Sequence, residues 1–213
     1  MSEKKKSKMN LPNKLTVLRI CMVPIFIVVM MLPVSLISPL YSAIIGAALF
    51  IIASLTDMLD GKIARKYGLV TDFGKLMDPL ADKFMVIGAM TAIVYRYAGT
   101  QVHQALFIIT LLVVVFRELA VTSLRLVASS SGGKVIAANM MGKIKTVVQI
   151  IFVVIAIMEK EIYAIDGVAK ALPAWWVANI PLSYFFAALT IFFTVASGIN
   201  YFRGLWKYLD PEK

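Results

Sequence analysis

Cysteine and histidine are almost absent: the 213 residues hold one of each. A lone Cys21 inside an apolar run excludes a disulfide framework and a cysteine metal cluster. His103 alone cannot build a metal site and is expected in a short loop. Charge is scarce as well, at 16% Asp, Glu, Lys and Arg, against about 25% in an ordinary soluble domain. Hydrophobic residues make up 60% of the chain, and the mean hydropathy is +0.84. That balance excludes a soluble globular domain and, still more, a disordered chain. There is no internal repeat, and no low-complexity tract beyond the basic N-terminus.

What is present is apolar sequence in helix-sized lengths. A bilayer core takes helices of about 20 residues. Six segments approach that length: Leu15–Ile37, Tyr41–Thr56, Pro79–Ala98, Gln104–Ala128, Lys145–Met158 and Ile180–Ile199. Two are short. The second can continue as helix into 57–66, and the fifth can begin as early as Ala137. The first exceeds a signal-peptide core of about 7–15 residues and is expected to be retained. Pro24 and Pro33 can bend it, which membrane helices tolerate. Residues 159–179 hold charges, Pro173, Trp175 and Trp176, the pattern of a loop with an interfacial tryptophan belt. The expected fold is therefore an all-α integral membrane domain, 15–213, with six transmembrane helices behind a basic juxtamembrane segment, 1–14.

Six spans return both termini to one side. Of the 22 Lys and Arg, only Arg96, Lys160 and Lys170 fall on the other. Positive charge accumulates in cytoplasmic loops, so both termini are expected in the cytoplasm and the protein in the cytoplasmic membrane. The net charge of +10 has that plain explanation, with a basic site for an anionic substrate as the alternative. Nucleic acid is not expected as a partner.

Acids are few, 12 in all, yet Asp57, Asp60, Asp72, Asp78 and Asp82 crowd one stretch. Asp57 and Asp60 are spaced i, i+3, and Asp78 and Asp82 i, i+4, so each pair shares a helix face. One pair closes an apolar segment and the other opens the next, across a polar turn with Gly68 and Gly74. An antiparallel helix pair would gather four carboxylates at the membrane boundary. Charge there is costly, about 2.5–3.5 kcal/mol each at the bilayer centre, so something must offset it. Helix capping and pairing with Lys62, Arg65, Lys66, Lys75 and Lys83 explains one or two of the four, Asp78 before Pro79 looking like a helix start. Divalent cations explain all of them. With oxygen ligands alone, Mg²⁺ or Mn²⁺ is favoured over Zn²⁺, and a pair of such ions suits displacement at phosphorus. Gly61, Ala64 and Gly74 leave room for a ligand to approach, although small residues also serve close helix packing.

Together the stretch reads Asp57-x-x-Asp60-Gly61-x-x-Ala64-Arg65, then Gly74-x-x-x-Asp78-x-x-x-Asp82. At every fixed position it resembles the signature of the CDP-alcohol phosphatidyltransferase family, and the length and span pattern resemble that family throughout. The resemblance implies transfer from a CDP-linked lipid to an alcohol with release of CMP, two divalent cations, and a homodimer. It implies Asp57, Asp60 and Asp78 as metal ligands, Asp82 as general base and possible ligand, and Gly61, Ala64, Arg65 and Gly74, with Asp57, as the lining of the CDP-lipid site.

Beyond the signature, Asn13-Lys14-Leu15-Thr16-x-x-Arg19, Phe116-Arg117-Glu118, Arg125 and Gly142-Lys143-Ile144-Lys145-Thr146 resemble the bacterial branch that uses glycerol 3-phosphate with CDP-diacylglycerol. Asn13, Thr16 and Arg19 become further site candidates on that ground. A phosphate-bearing acceptor needs cations. Arg117 and Arg125, two turns apart, and Lys134, Lys143 and Lys145 are the candidates, with Glu118 expected to orient an arginine. Their plainer explanation is positive-inside topology. Other acceptors, namely inositol phosphate, serine or phosphatidylglycerol, keep the same chemistry. A cation transporter is the remote alternative; it expects acids near the midplane of several broken helices.

Overall fold

The computed structural model describes residues 10–68, 71–130 and 140–206. Among them there are helices and no strands: α1 Leu11–Met31, α2 Pro39–Tyr67, α3 Asp72–Arg96, α4 Gln101–Ser130, α5 Met140–Tyr163, α6 Asp166–Ala171, α7 Ala174–Asn179 and α8 Pro181–Leu205. Each apolar segment forms most of a helix, and most of these helices run on past the hydropathic ends. The first stops short, at Met31, so Pro24 lies inside α1 while Pro33 lies beyond its end and does not bend it. The starts carry local signals. Asn10 caps α1 by accepting from the Asn13 amide at 3.1 Å, and Ser38 and Thr71 cap α2 and α3 in the same way. Gly68 closes α2 in the left-handed conformation, at φ 63°, which a glycine adopts without steric cost.

Five stretches are long and apolar enough to cross a membrane: Leu11–Met31, Pro39–Ala64, Gln101–Val127, Met140–Tyr163 and Ala174–Gly204. The third expected span differs. Helix α3 has 25 residues, but Asp72, Lys75, Asp78, Asp82 and Lys83 give its first half a charged character. It begins at Asp72, so Asp78 and Pro79 lie inside it and not at its start. His103 is in the first turn of α4 instead of a loop; it is buried between the Tyr184 hydroxyl at 2.8 Å and the Ala178 carbonyl at 3.1 Å. The stretch expected as loop is partly helical, through the end of α5 and short α6 and α7.

Helix α1 packs against both α2 and α3, while α5 and α8 pair antiparallel and α4 runs along α8. Phe26, Phe50, Phe107 and Phe152 fill the fully buried core. In lipid, association rests on close packing, and small side chains permit it. Ala43, Ala47, Ala53, Ala81 and Ala89 are buried. A Cβ on Gly46 would come within 2.4 Å of Met30 Sδ, so only glycine admits Met30 there.

At the end opposite the N-terminus, Glu159 is buried among donors. It accepts from the amides of Leu182 at 3.0 Å and Ser183 at 2.6 Å, from the Ser183 hydroxyl, and from Tyr163 Oη at 2.9 Å. The amides belong to the first turn of α8, where a negative charge also meets the favourable end of the helix dipole. The preceding Ile180 sits at φ 41°, an uncommon conformation for a β-branched residue. Glu159→Ala is expected to destabilise the fold by at least about 1.5–3 kcal/mol, the usual worth of a hydrogen bond to a charged group. Thermal unfolding in detergent measures it, and an unchanged midpoint would show that α8 is held by packing alone.

Candidate active site

The end of the bundle that carries the N-terminus gathers the start of α1, the end of α2 and the start of α3. Helix α1 stands between the other two, and its side chains join the carboxylates. The Arg19 guanidinium is 1% exposed; Nη1 donates to Asp57 Oδ1 at 2.6 Å and Nη2 to Asp60 Oδ2 at 2.5 Å. Thr16 Oγ1 donates to Asp78 Oδ1 at 2.5 Å. Asn13 Oδ1 accepts from the Thr71 hydroxyl at 3.0 Å, at the cap of α3. A Cβ on Gly74 would stand 3.1 Å from that same Asn13 oxygen and 3.7 Å from Asp78 Oδ2. Glycine at 74 therefore lets α3 approach α1 closely enough for Asp78 to reach Thr16.

The carboxylates lie within one another's fields. Asp60 is buried and feels Asp57 and Asp78; Asp82 is exposed and feels Asp57. The cation that meets the first pair is Arg19, from another helix, and not a lysine close in sequence. Lys83 instead donates to Thr122 Oγ1 of α4 at 2.7 Å.

All four aspartates offer only hard oxygen, with no cysteine or histidine beside them, and their mutual repulsion calls for positive charge. That donor set fits Mg²⁺ or Mn²⁺. Among the described residues no three acids stand at a common ligating distance; Arg19 draws Asp57 and Asp60 onto itself.

A second polar group lies on α4 and α5. Glu118 Oε1 accepts from Arg117 Nη1 at 2.9 Å and from the buried Lys145 Nζ at 2.6 Å. Arg125 Nη2 donates to Tyr201 Oη at 2.7 Å. The Tyr201 ring is shared: the Arg125 and Arg117 guanidinium carbons lie 4.9 Å and 5.6 Å from its centre. The two arginines thus occupy one face, as their two-turn spacing predicts, and Glu118 does hold an arginine. Glu118 and Lys145 also lie within electrostatic range of Asp82, and the Lys83–Thr122 hydrogen bond ties α3 to α4 one residue on from it. Lys143 is exposed. Lys134 and the side chains of Arg65 and Lys75 lie outside the described residues, whereas Gly61 and Ala64 are half-buried in α2 beside Asp60. Tyr201 was not visible as a site residue in the sequence, because one tyrosine in an apolar helix carries no spacing signal.

A bundle that brings this signature together at one end, from α2 and α3 with α1 between them, defines a class. The chain belongs to the CDP-alcohol phosphatidyltransferase family, which it matches over residues 9–198. Among its relatives is the CDP-diacylglycerol–glycerol-3-phosphate 3-phosphatidyltransferase of Bacillus subtilis (strain 168), 42% identical over 210 residues, covering 95% of this chain and 98% of that protein. Proteins of the same name from Wigglesworthia glossinidia brevipalpis and Rickettsia bellii (strain RML369-C) are 36% identical over 159 residues and 33% identical over 206 residues. The first match covers 74% of this chain and 81% of that protein, and the second 93% and 97%.

Proposed function

We propose that this protein transfers the phosphatidyl group of CDP-diacylglycerol to sn-glycerol 3-phosphate, giving phosphatidylglycerophosphate and CMP. The family and the names of its relatives support the reaction. The observation that carries the choice of acceptor is the cluster of Arg117, Glu118 and Lys145 within electrostatic range of Asp82. Glu118 offsets only one of the two charges on Arg117 and Lys145; a phosphate monoester would meet the other, which a neutral acceptor leaves unanswered.

In this reading the acceptor phosphate lies against Arg117 and Arg125, with Lys145, Lys143 and Lys134 adding charge. Its hydroxyl oxygen attacks the phosphorus that carries the diacylglycerol. Asp82 takes the hydroxyl proton, the new phosphorus–oxygen bond forms, and the bond to CMP breaks. Asp57, Asp60, Asp78 and Asp82 would hold two divalent cations, which supply charge neutralisation for the pyrophosphate and the departing CMP. Arg19 orients Asp57 and Asp60, Thr16 orients Asp78, and Asn13 fixes the cap of α3. Gly61, Ala64, Arg65 and Gly74 line the nucleotide side, as the family signature implies.

The sidedness follows from charge. The site end carries nearly all the lysines and arginines, so it faces the cytoplasm of a cell membrane, with both termini there. Helix α3 then makes the sixth crossing, its charged half at that face and its apolar half, 84–96, in the bilayer. A homodimer is expected from the family resemblance. Transport of a cation is not favoured, since the aspartates cluster at one end of the bundle and not at its midplane.

Arg117→Ala or Arg125→Ala tests the acceptor role. Loss of one charge-assisted contact, about 1.5–3 kcal/mol, corresponds to roughly a 10- to 150-fold weaker apparent affinity for glycerol 3-phosphate. That for CDP-diacylglycerol should stay the same. Lysine in place of arginine should restore only part, since it lacks the planar two-point fork. Unchanged acceptor affinity in both alanine variants would reduce these cations to topology and pairing with Glu118.

A further inference from the structure

A groove of about 730 Å³ runs between α4 and α8, in the half of the bundle that holds the active site but outside the aspartate cluster. Its walls are Leu112, Phe116 and Leu124 on one side and Val195, Ile199 and Phe202 on the other. Among the described residues, two cations line it, Arg117 and Arg203, and no acid does. The two are differently placed. Arg117 presents its aliphatic stem, close to Gly198, while its guanidinium turns to Glu118. Arg203, in the last turn of α8, is exposed and makes no hydrogen bond or ion pair among the described residues. Trp206, one turn on, is exposed with its ring 4.9 Å from that of Phe202, the kind of amphipathic ring that sits at headgroup level.

We infer that this groove binds an anionic phospholipid of the surrounding membrane, with an acyl chain along α4 and α8 and its phosphate against Arg203. The shape and polarity are those of a ligand cleft, mostly apolar with a polar group at one end. The charge selects the headgroup. A zwitterionic lipid brings an ammonium to a mouth whose described residues are cationic and include no carboxylate; an anionic one does not. A second copy of the chain docked here about a two-fold axis would set this cationic patch against the same patch of its partner, since such an interface uses one surface on both subunits. The inference does not depend on which acceptor the transfer reaction uses.

The test is lipid binding to the full chain in detergent, followed by native mass spectrometry, with phosphatidylglycerol and phosphatidylcholine of identical acyl chains as probes. Wild type should retain phosphatidylglycerol about tenfold or more over phosphatidylcholine, the scale of one charge-assisted contact. Arg203→Gln should remove that preference, and Arg203→Lys should keep most of it. Val195→Trp, which fills the groove, should lower retention of both lipids. Equal retention of the two lipids by wild type would overturn the site, as would an unchanged preference in a folded Arg203→Gln variant.

Discussion

Asp57→Asn, Asp60→Asn and Asp78→Asn should each cut CMP release by at least about 10²-fold, the scale on which removing one preorganised electrostatic contact acts. Asparagine keeps the size of the side chain and removes its charge, so the loss reports on cation binding and not on packing. The three differ in their collateral effects. Asp60 is buried and shares Arg19 with Asp57, so Asp60→Asn leaves a buried guanidinium with one carboxylate charge fewer and should also lower thermal stability. Asp57 is 44% exposed on its side chain, and its variant should fold as wild type does. Asp78→Asn still accepts from Thr16 through its amide oxygen. Turnover, size-exclusion profile and thermal midpoint together separate these outcomes. Near-normal turnover in any one variant would remove that residue from the proposed ligand set.

The second large effect is expected at Asp82. A general base contributes about 10²–10⁴-fold to rate, and Asp82→Asn should lose a factor in that range from kcat with CDP-diacylglycerol affinity little changed. The position suits the role: Asp82 is exposed, near Asp57 on one side and near Glu118 and Lys145 on the other. It thus stands between the groups assigned to the nucleotide lipid and those assigned to the acceptor. Weaker lipid binding with unchanged kcat would make Asp82 structural.

Much of this arrangement was legible in the sequence because two periodicities coincide there. Helix-length apolar runs give the bundle, and the i, i+3 and i, i+4 spacing of the aspartates gives the faces they share. The motif residues around Asn13, Thr16 and Arg19 pointed to the right helix. What they do there was not legible. That Arg19 bridges Asp57 and Asp60, and that α1 lies between α2 and α3, are facts of tertiary packing between residues about 40 positions apart. The start of α3 was missed for a local reason. Asp78-Pro79 imitates a helix start, but Thr71 caps seven residues earlier and the proline is carried inside the helix. Hydropathy does not pick out α3 as a span, since charged residues occupy its first half. Tyr201 and Glu159 had no signal at all, because their roles depend on α8 packing against α4 and α5.

The most direct measurement of the central claim is CMP release by purified protein given CDP-diacylglycerol and sn-glycerol 3-phosphate, with and without EDTA, followed by addition of Mg²⁺ or Mn²⁺. Release should depend on the phosphorylated acceptor, stop in chelator and return with either metal, while serine or inositol in its place gives little. Release that persists in chelator would contradict the metal reading of the aspartates, and release equal with serine or inositol would contradict glycerol 3-phosphate as the acceptor.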